Sequence, residues 1–124
     1  MATPIIQFFV TLRNAVKVYH WATLSYPRHK ATDQFVTNID KLTDSFIEIY
    51  IGKYGRGDVI GKKDIILTLP ALDENAILKY FKDARIWLSK NLREHLSESD
   101  TDLLNIRDEI RGEINQALYL FTLS

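Results

Sequence analysis

Four separate stretches of this chain repeat apolar residues at three- and four-residue steps, the spacing of one face of an α-helix. The first carries Ile5, Phe9, Leu12, Val16 and Tyr19, with Phe8, Ala15 and Ala22 beside them. Thr3 before Pro4 reads as a cap with proline at the first helical position, and the helix is expected to end near Thr23. Ser25-Tyr26-Pro27 is a break, because proline disfavours helical geometry in the residue before it. The second helix is expected from about Pro27 to Ile51, with Ala31, Phe35, Ile39, Leu42, Phe46 and Ile49 inward and Gly52 as its stop. At ~1.5 Å per residue it spans roughly 37 Å. The third stripe is Ile77, Phe81, Ala84, Leu88 and Leu92, with Asp73 as its cap. The fourth is Leu103, Ile106, Ile110, Ile114, Ala117 and Phe121, and Ser99 with Asp102 ahead of it resembles a capping box.

Between the second and third stripes, Lys53 to Leu72 form a long connection containing glycine and the apolar run Asp64-Ile-Ile-Leu-Thr-Leu69. At ~3.3 Å per extended residue it can travel the length of a long helix. The third helix can then lie parallel to the second. The expected fold is therefore all-α: a ferritin-like four-helix bundle with one long crossover between helices 2 and 3. A length of 124 residues fits one domain, and 46% hydrophobic residues supply a core.

Composition removes several function classes. Without cysteine there is no disulfide framework, thiolate metal site or Cys nucleophile. Lys+Arg and Asp+Glu are both 16, and this balance gives no electrostatic reason to expect a nucleic-acid partner. The small basic loop at Arg56, Lys62 and Lys63 does not change that. Met1 to Thr11 lacks the pattern of a signal peptide, and no apolar run nears the ~20 residues that span a bilayer. The expectation is a soluble cytoplasmic protein without a membrane partner.

The residues that could carry chemistry are His20, His29, Asp33, Asp44 and Glu48. Each has an ordinary reading as a packing, capping or solvated residue. Together they say more. His29, Asp33, Asp40, Asp44 and Glu48 form an acidic strip along helix 2, suited to iron, manganese or zinc held by oxygen and imidazole. Asp44 and Glu48, four apart, repel each other unless a cation lies between them. His29 and Asp44 stand roughly 22 Å apart along one helix. They cannot share an ion within one chain. A short turn does bring His20 to His29 and Asp33. A complete site thus needs two copies with helix 2 antiparallel, as in a two-fold dimer.

The segment from His20-Trp21 through His29 and Asp33 to Asp44 and Glu48 resembles the ferroxidase region of the mini-ferritins, the DNA-binding proteins from starved cells (Dps). That family has a His-Trp pair ending its first helix, then a His and an Asp four later, then an Asp and a Glu four apart. The resemblance implies that His20, His29, Asp33, Asp44 and Glu48 are metal ligands of a di-iron or mono-iron site between two-fold-related subunits, with zinc or manganese as substitutes. It implies oxidation of Fe(II) by peroxide or dioxygen, ferric storage, and an assembly from a dimer up to a hollow dodecamer. Trp21 falls on the tryptophan near the family's iron. The usual basic DNA-binding tail is missing, and no Glu-x-x-His pair places the site inside one bundle. Short proteins of this His-Trp type are also associated with large DNA viruses and phages, and a virion or its host cytoplasm would then be the setting. The competing expectation is a non-catalytic, structural or virion-associated bundle that assembles through helix 2.

Overall fold

Each of the four stripes becomes the buried face of a helix in the computed structural model, which describes residues 2–57 and 61–124. The helices are α1 (Ala2–Ala22), α2 (Tyr26–Tyr54), α3 (Ala76–Ile86) and α4 (Thr101–Phe121). After α3 come a π turn (Trp87–Asn91) and a 3₁₀ turn (Leu92–His95). Phe9, Leu12, Val16, Ile39, Phe46, Ile77, Phe81, Leu88, Leu92, Leu103, Ile110 and Ile114 are fully enclosed. Leu42, Ile49 and Ile106 pack at the edge of this core. Aromatic rings knit it together. Phe9 meets Phe46 edge-on at 5.3 Å, and Phe35 meets Phe81 at 5.2 Å.

Around the bundle, α1 packs on α2, α2 on α4, α4 on α3, and α3 on α1. Polar contacts fix the directions. Lys53 at the end of α2 reaches Asp100 at the start of α4, at 3.1 Å. Arg28 at the start of α2 reaches Ser124, just past α4, at 3.2 Å. Tyr19 late in α1 donates to Glu74 just before α3, while Phe8 early in α1 stacks on Trp87 after it. Neighbouring helices are therefore antiparallel, and α2 and α3 on the diagonal are parallel. The long crossover expected from the sequence makes that arrangement. It runs beside α1, where Gln7 donates to the carbonyl of Ile66. Residues 58–60 of the expected connection lie outside the described residues. Among the described residues no helix is long and apolar enough to cross a membrane.

Helix ends differ from the sequence reading. α1 already includes Ala2 and Thr3, so Pro4 sits inside its first turn, where a missing N–H has no intrahelical partner to lose. α2 starts one residue early, because Ser25 adopts extended backbone and its Oγ accepts from the Arg28 N–H. At its far end Gly52 does not stop the helix. Lys53 is tied to Asp100 and Asp102, and the Tyr54 hydroxyl donates to Asp100, so tertiary bonds carry α2 on to Gly55. Gly55 has φ of 82° and returns its N–H to Ile51, the stop that glycine permits. Asp73 does cap α3, accepting from the N–H groups of Asn75 and Ala76. The box of Ser99 and Asp102 does not form. Asp102 accepts from Leu103 and Lys53, Ser99 faces the Ser97 hydroxyl, and it is Asp100 that turns back to the Ser97 N–H at 2.8 Å. The third stripe leaves α-helical geometry at Trp87, and the buried Arg107 donates to the Leu88 carbonyl in that π turn.

Two outcomes follow from this packing. Phe46→Ala opens a void against Phe9 and costs about 3–5 kcal/mol by denaturant unfolding. The hydroxyl of Tyr54 and the N–H of Ser97 hold the Asp100 carboxyl down at about 2, against an ordinary 3.8. A carboxylate lowered in the folded state stabilises it above pH 3.8, and that contribution is lost as pH falls through about 2. Asp100→Asn lowers the Tm at neutral pH and flattens its fall between pH 4 and pH 2, measured by circular dichroism.

Candidate metal centre

The turn from α1 to α2 is three residues long, Thr23 to Ser25. It folds the last turn of α1 onto the first turn of α2. The ring of His20 is buried, and that of His29 is half-buried. The two rings stack with centroids 3.9 Å apart and planes 16° from parallel. Each Nδ1 meets the other residue's backbone: His20 Nδ1 lies 2.8 Å from the His29 carbonyl, and His29 Nδ1 lies 2.9 Å from the His20 carbonyl.

These reciprocal contacts decide the tautomer. A carbonyl only accepts, so in neutral imidazole each Nδ1 must carry the proton. Each Nε2 is then left with a free lone pair, the form that binds metal. The buried Thr32 completes the support. Its hydroxyl donates to the Arg28 carbonyl at 2.8 Å and can accept from His20 Nδ1 at 3.0 Å. Burial pushes the His20 pKa below its ordinary 6.5, opposed by the bond to the His29 carbonyl. His20 is therefore neutral, and its Nε2 unprotonated, at pH 7.

Beneath the pair sits an anchor that periodicity did not reveal. The Arg28 guanidinium donates to the Glu74 carbonyl at 2.6 Å and its carboxylate at 3.1 Å, and to the Tyr19 hydroxyl at 3.3 Å. It also lies 4.6 Å over the Phe121 ring. Tyr19 and Thr23 donate to the same Glu74 carboxylate, at 3.0 and 2.7 Å. Nothing in a single sequence pairs residues forty-six apart, so the anchor carried no signal there.

The remaining residues are placed as follows. Asp33 is exposed on the turn after His29, and its charge favours the protonated form of His20. It does not close with the two rings into a ligand group: among the described residues no cluster of three or more His, Asp or Glu is poised to hold an ion. Asp40, Asp44 and Glu48 line the exposed side of α2, as the strip predicted. Asp40 pairs with Arg13 of α1 at 3.2 Å. A hydrogen bond to Asp44 and the Asp44 charge raise the Glu48 pKa from its ordinary value. The strip thus narrows to the Asp44/Glu48 pair. One chain brings His20 to His29 and Asp44 to Glu48, and leaves the two pairs apart. Trp21, next to His20, is 68% exposed with Lys17 over its ring at 5.3 Å.

The chain belongs to a family described as "Family of unknown function (DUF5856)", which matches residues 20–121. The match begins at His20 and covers α2, the crossover, α3 and α4. No curated protein matches the chain, and no solved structure does.

The tautomers can be read directly. In ¹⁵N NMR at pH 7.5, His20 and His29 should each show a protonated Nδ1 and a bare Nε2, and His20 should titrate below 6.5. Protonated Nε2 on either ring at that pH contradicts the assignment.

Proposed function

We propose that this member of the DUF5856 family is a mini-ferritin-like, iron-binding protein that oxidises Fe(II) at a site shared by two copies of the chain. The observation that carries the reading is the locked histidine pair, with both Nδ1 protons committed to backbone carbonyls and both Nε2 lone pairs free. The donor set fits the substrate. Neutral imidazoles suit Fe(II), and carboxylates favour the more highly charged Fe(III), which pulls oxidation forward. His20 and His29 would supply nitrogen and Asp33 an oxygen beside them. Asp44 and Glu48 would come from the second copy. The hydrogen bond and like charge that raise Glu48 beside Asp44 mark a place where a cation would relieve the repulsion.

The reaction balances with peroxide. Two Fe(II) ions give up one electron each, one hydrogen peroxide accepts both, and two protons complete two waters. Manganese or zinc would fit the same ligands without turnover of this kind. Ferric storage and closure into a dodecamer belong to the same reading, and both require assembly beyond a dimer. Exposed Val18, Trp21 and Tyr26 around the histidine pair favour self-association, and equally suit a non-catalytic bundle that assembles through α2.

Mixed with Fe(II) and peroxide, the protein should develop ferric absorbance faster than buffer, and less so below the ordinary His pKa of about 6.5, as protons compete for imidazole. His29→Ala and Asp44→Ala should each abolish the gain. Co-refolding the two variants should restore roughly a quarter of it, since half the random dimers then hold one intact site of two. Absence of any gain in the wild type leaves the non-catalytic assembly, and native mass measurement would size it. Activity in a strictly monomeric protein overturns the shared site.

A further inference from the structure

A groove of about 640 Å³ opens between the first half of α1 and the wall made by α3 and its following turns. Phe8 lies roughly 18 Å along α1 from His20, at ~1.5 Å per residue, so the groove is remote from the histidine pair. Three features define its chemistry. First, Phe8 and Trp87 stack face to face, 3.9 Å apart and 6° from parallel, and form a flat aromatic element in the lining. Second, the π turn beginning at Trp87 breaks the α-helical register, and the 3₁₀ turn after it carries Glu94 and His95 onto the lining that α3 supplies with Tyr80 and Asp83. Third, the charged lining is acidic: Asp83 and Glu94 contribute, and no Lys or Arg does among the described residues. Lys79 pairs with Asp83 at 2.7 Å from outside the groove, but it is 80% exposed, and such pairs are weak. Burial pushes the Tyr80 phenol up to about 12, so it stays a neutral hydroxyl able to donate or accept.

The two carboxylates repel anions and attract a cation, and the stacked Phe8–Trp87 element gives an aromatic ring apolar surface to lie against. The volume lies inside the ~300–1,000 Å³ usual for small-molecule sites. We propose that this groove binds a small aromatic amine, protonated at neutral pH, with its ring against Phe8 and Trp87 and its ammonium between Asp83 and Glu94. The assignment is independent of iron chemistry, since none of the five metal-binding candidates lines the groove.

The test uses two probes of one ring and opposite charge, tryptamine and indole-3-acetate, by titration calorimetry on the full chain. Tryptamine should bind once per chain and at least tenfold more tightly than indole-3-acetate. Asp83→Asn with Glu94→Gln should weaken tryptamine at least tenfold and leave the circular dichroism spectrum unchanged, because both side chains are exposed. Fe(II) oxidation by that variant should match the wild type. Equal affinity for the two probes, no saturable heat with millimolar tryptamine, or an unaltered affinity in the double variant each overturns the proposal.

Discussion

The guanidinium of Arg28 joins all four helices at one end of the bundle. It stands on α2, bonds Tyr19 of α1, takes the backbone and carboxylate of Glu74 before α3, and reaches Phe121 and Ser124 at the close of α4. A charge so placed needs its partners, because an unpaired ion in a half-buried setting is costly. Glu74 supplies the countercharge, and Tyr19 and Thr23 satisfy the rest of that carboxylate. The residue next to Arg28 is His29. The geometry of the imidazole pair thus rests on a network that also sets where the crossover must deliver α3.

At the opposite end a second polar knot does the matching work. Asp100 gathers the Ser97 N–H, the Tyr54 hydroxyl and Lys53, and fixes the last turn of α2 against the first of α4. Between the two knots the interior is mostly apolar, with Phe9 on Phe46 and Phe35 on Phe81, and the buried Arg107 satisfied by the Leu88 carbonyl. Polar contacts at the ends set direction, and the rings between them supply most of the buried surface.

Stripes were legible because burial has a helical period; Ile77, Phe81, Ala84, Leu88 and Leu92 are all enclosed as their spacing required. Topology was legible from length alone, since the connection after α2 is long enough to return along the bundle. Helix ends were not. Gly52 looked like a terminator, yet Lys53 and Tyr54 find partners on α4 that hold the helix past it. The box at Ser99 and Asp102 failed for a related reason, since Asp100 between them had stronger uses. Long-range polar partners leave no period to read. For the candidate site, the meeting of His20 and His29 followed from the short turn. Their exchange of backbone bonds, and the support from Thr32, did not. The π turn also has no spacing signature, although it shapes the groove between α1 and α3.

The face-to-face imidazoles have one more consequence. Two positive charges at about 4 Å repel by roughly 4 kcal/mol in a partly screened setting. The stack therefore holds together through uncharged rings, and a cation bridging the two bare nitrogens would replace that mutual repulsion with a shared attraction.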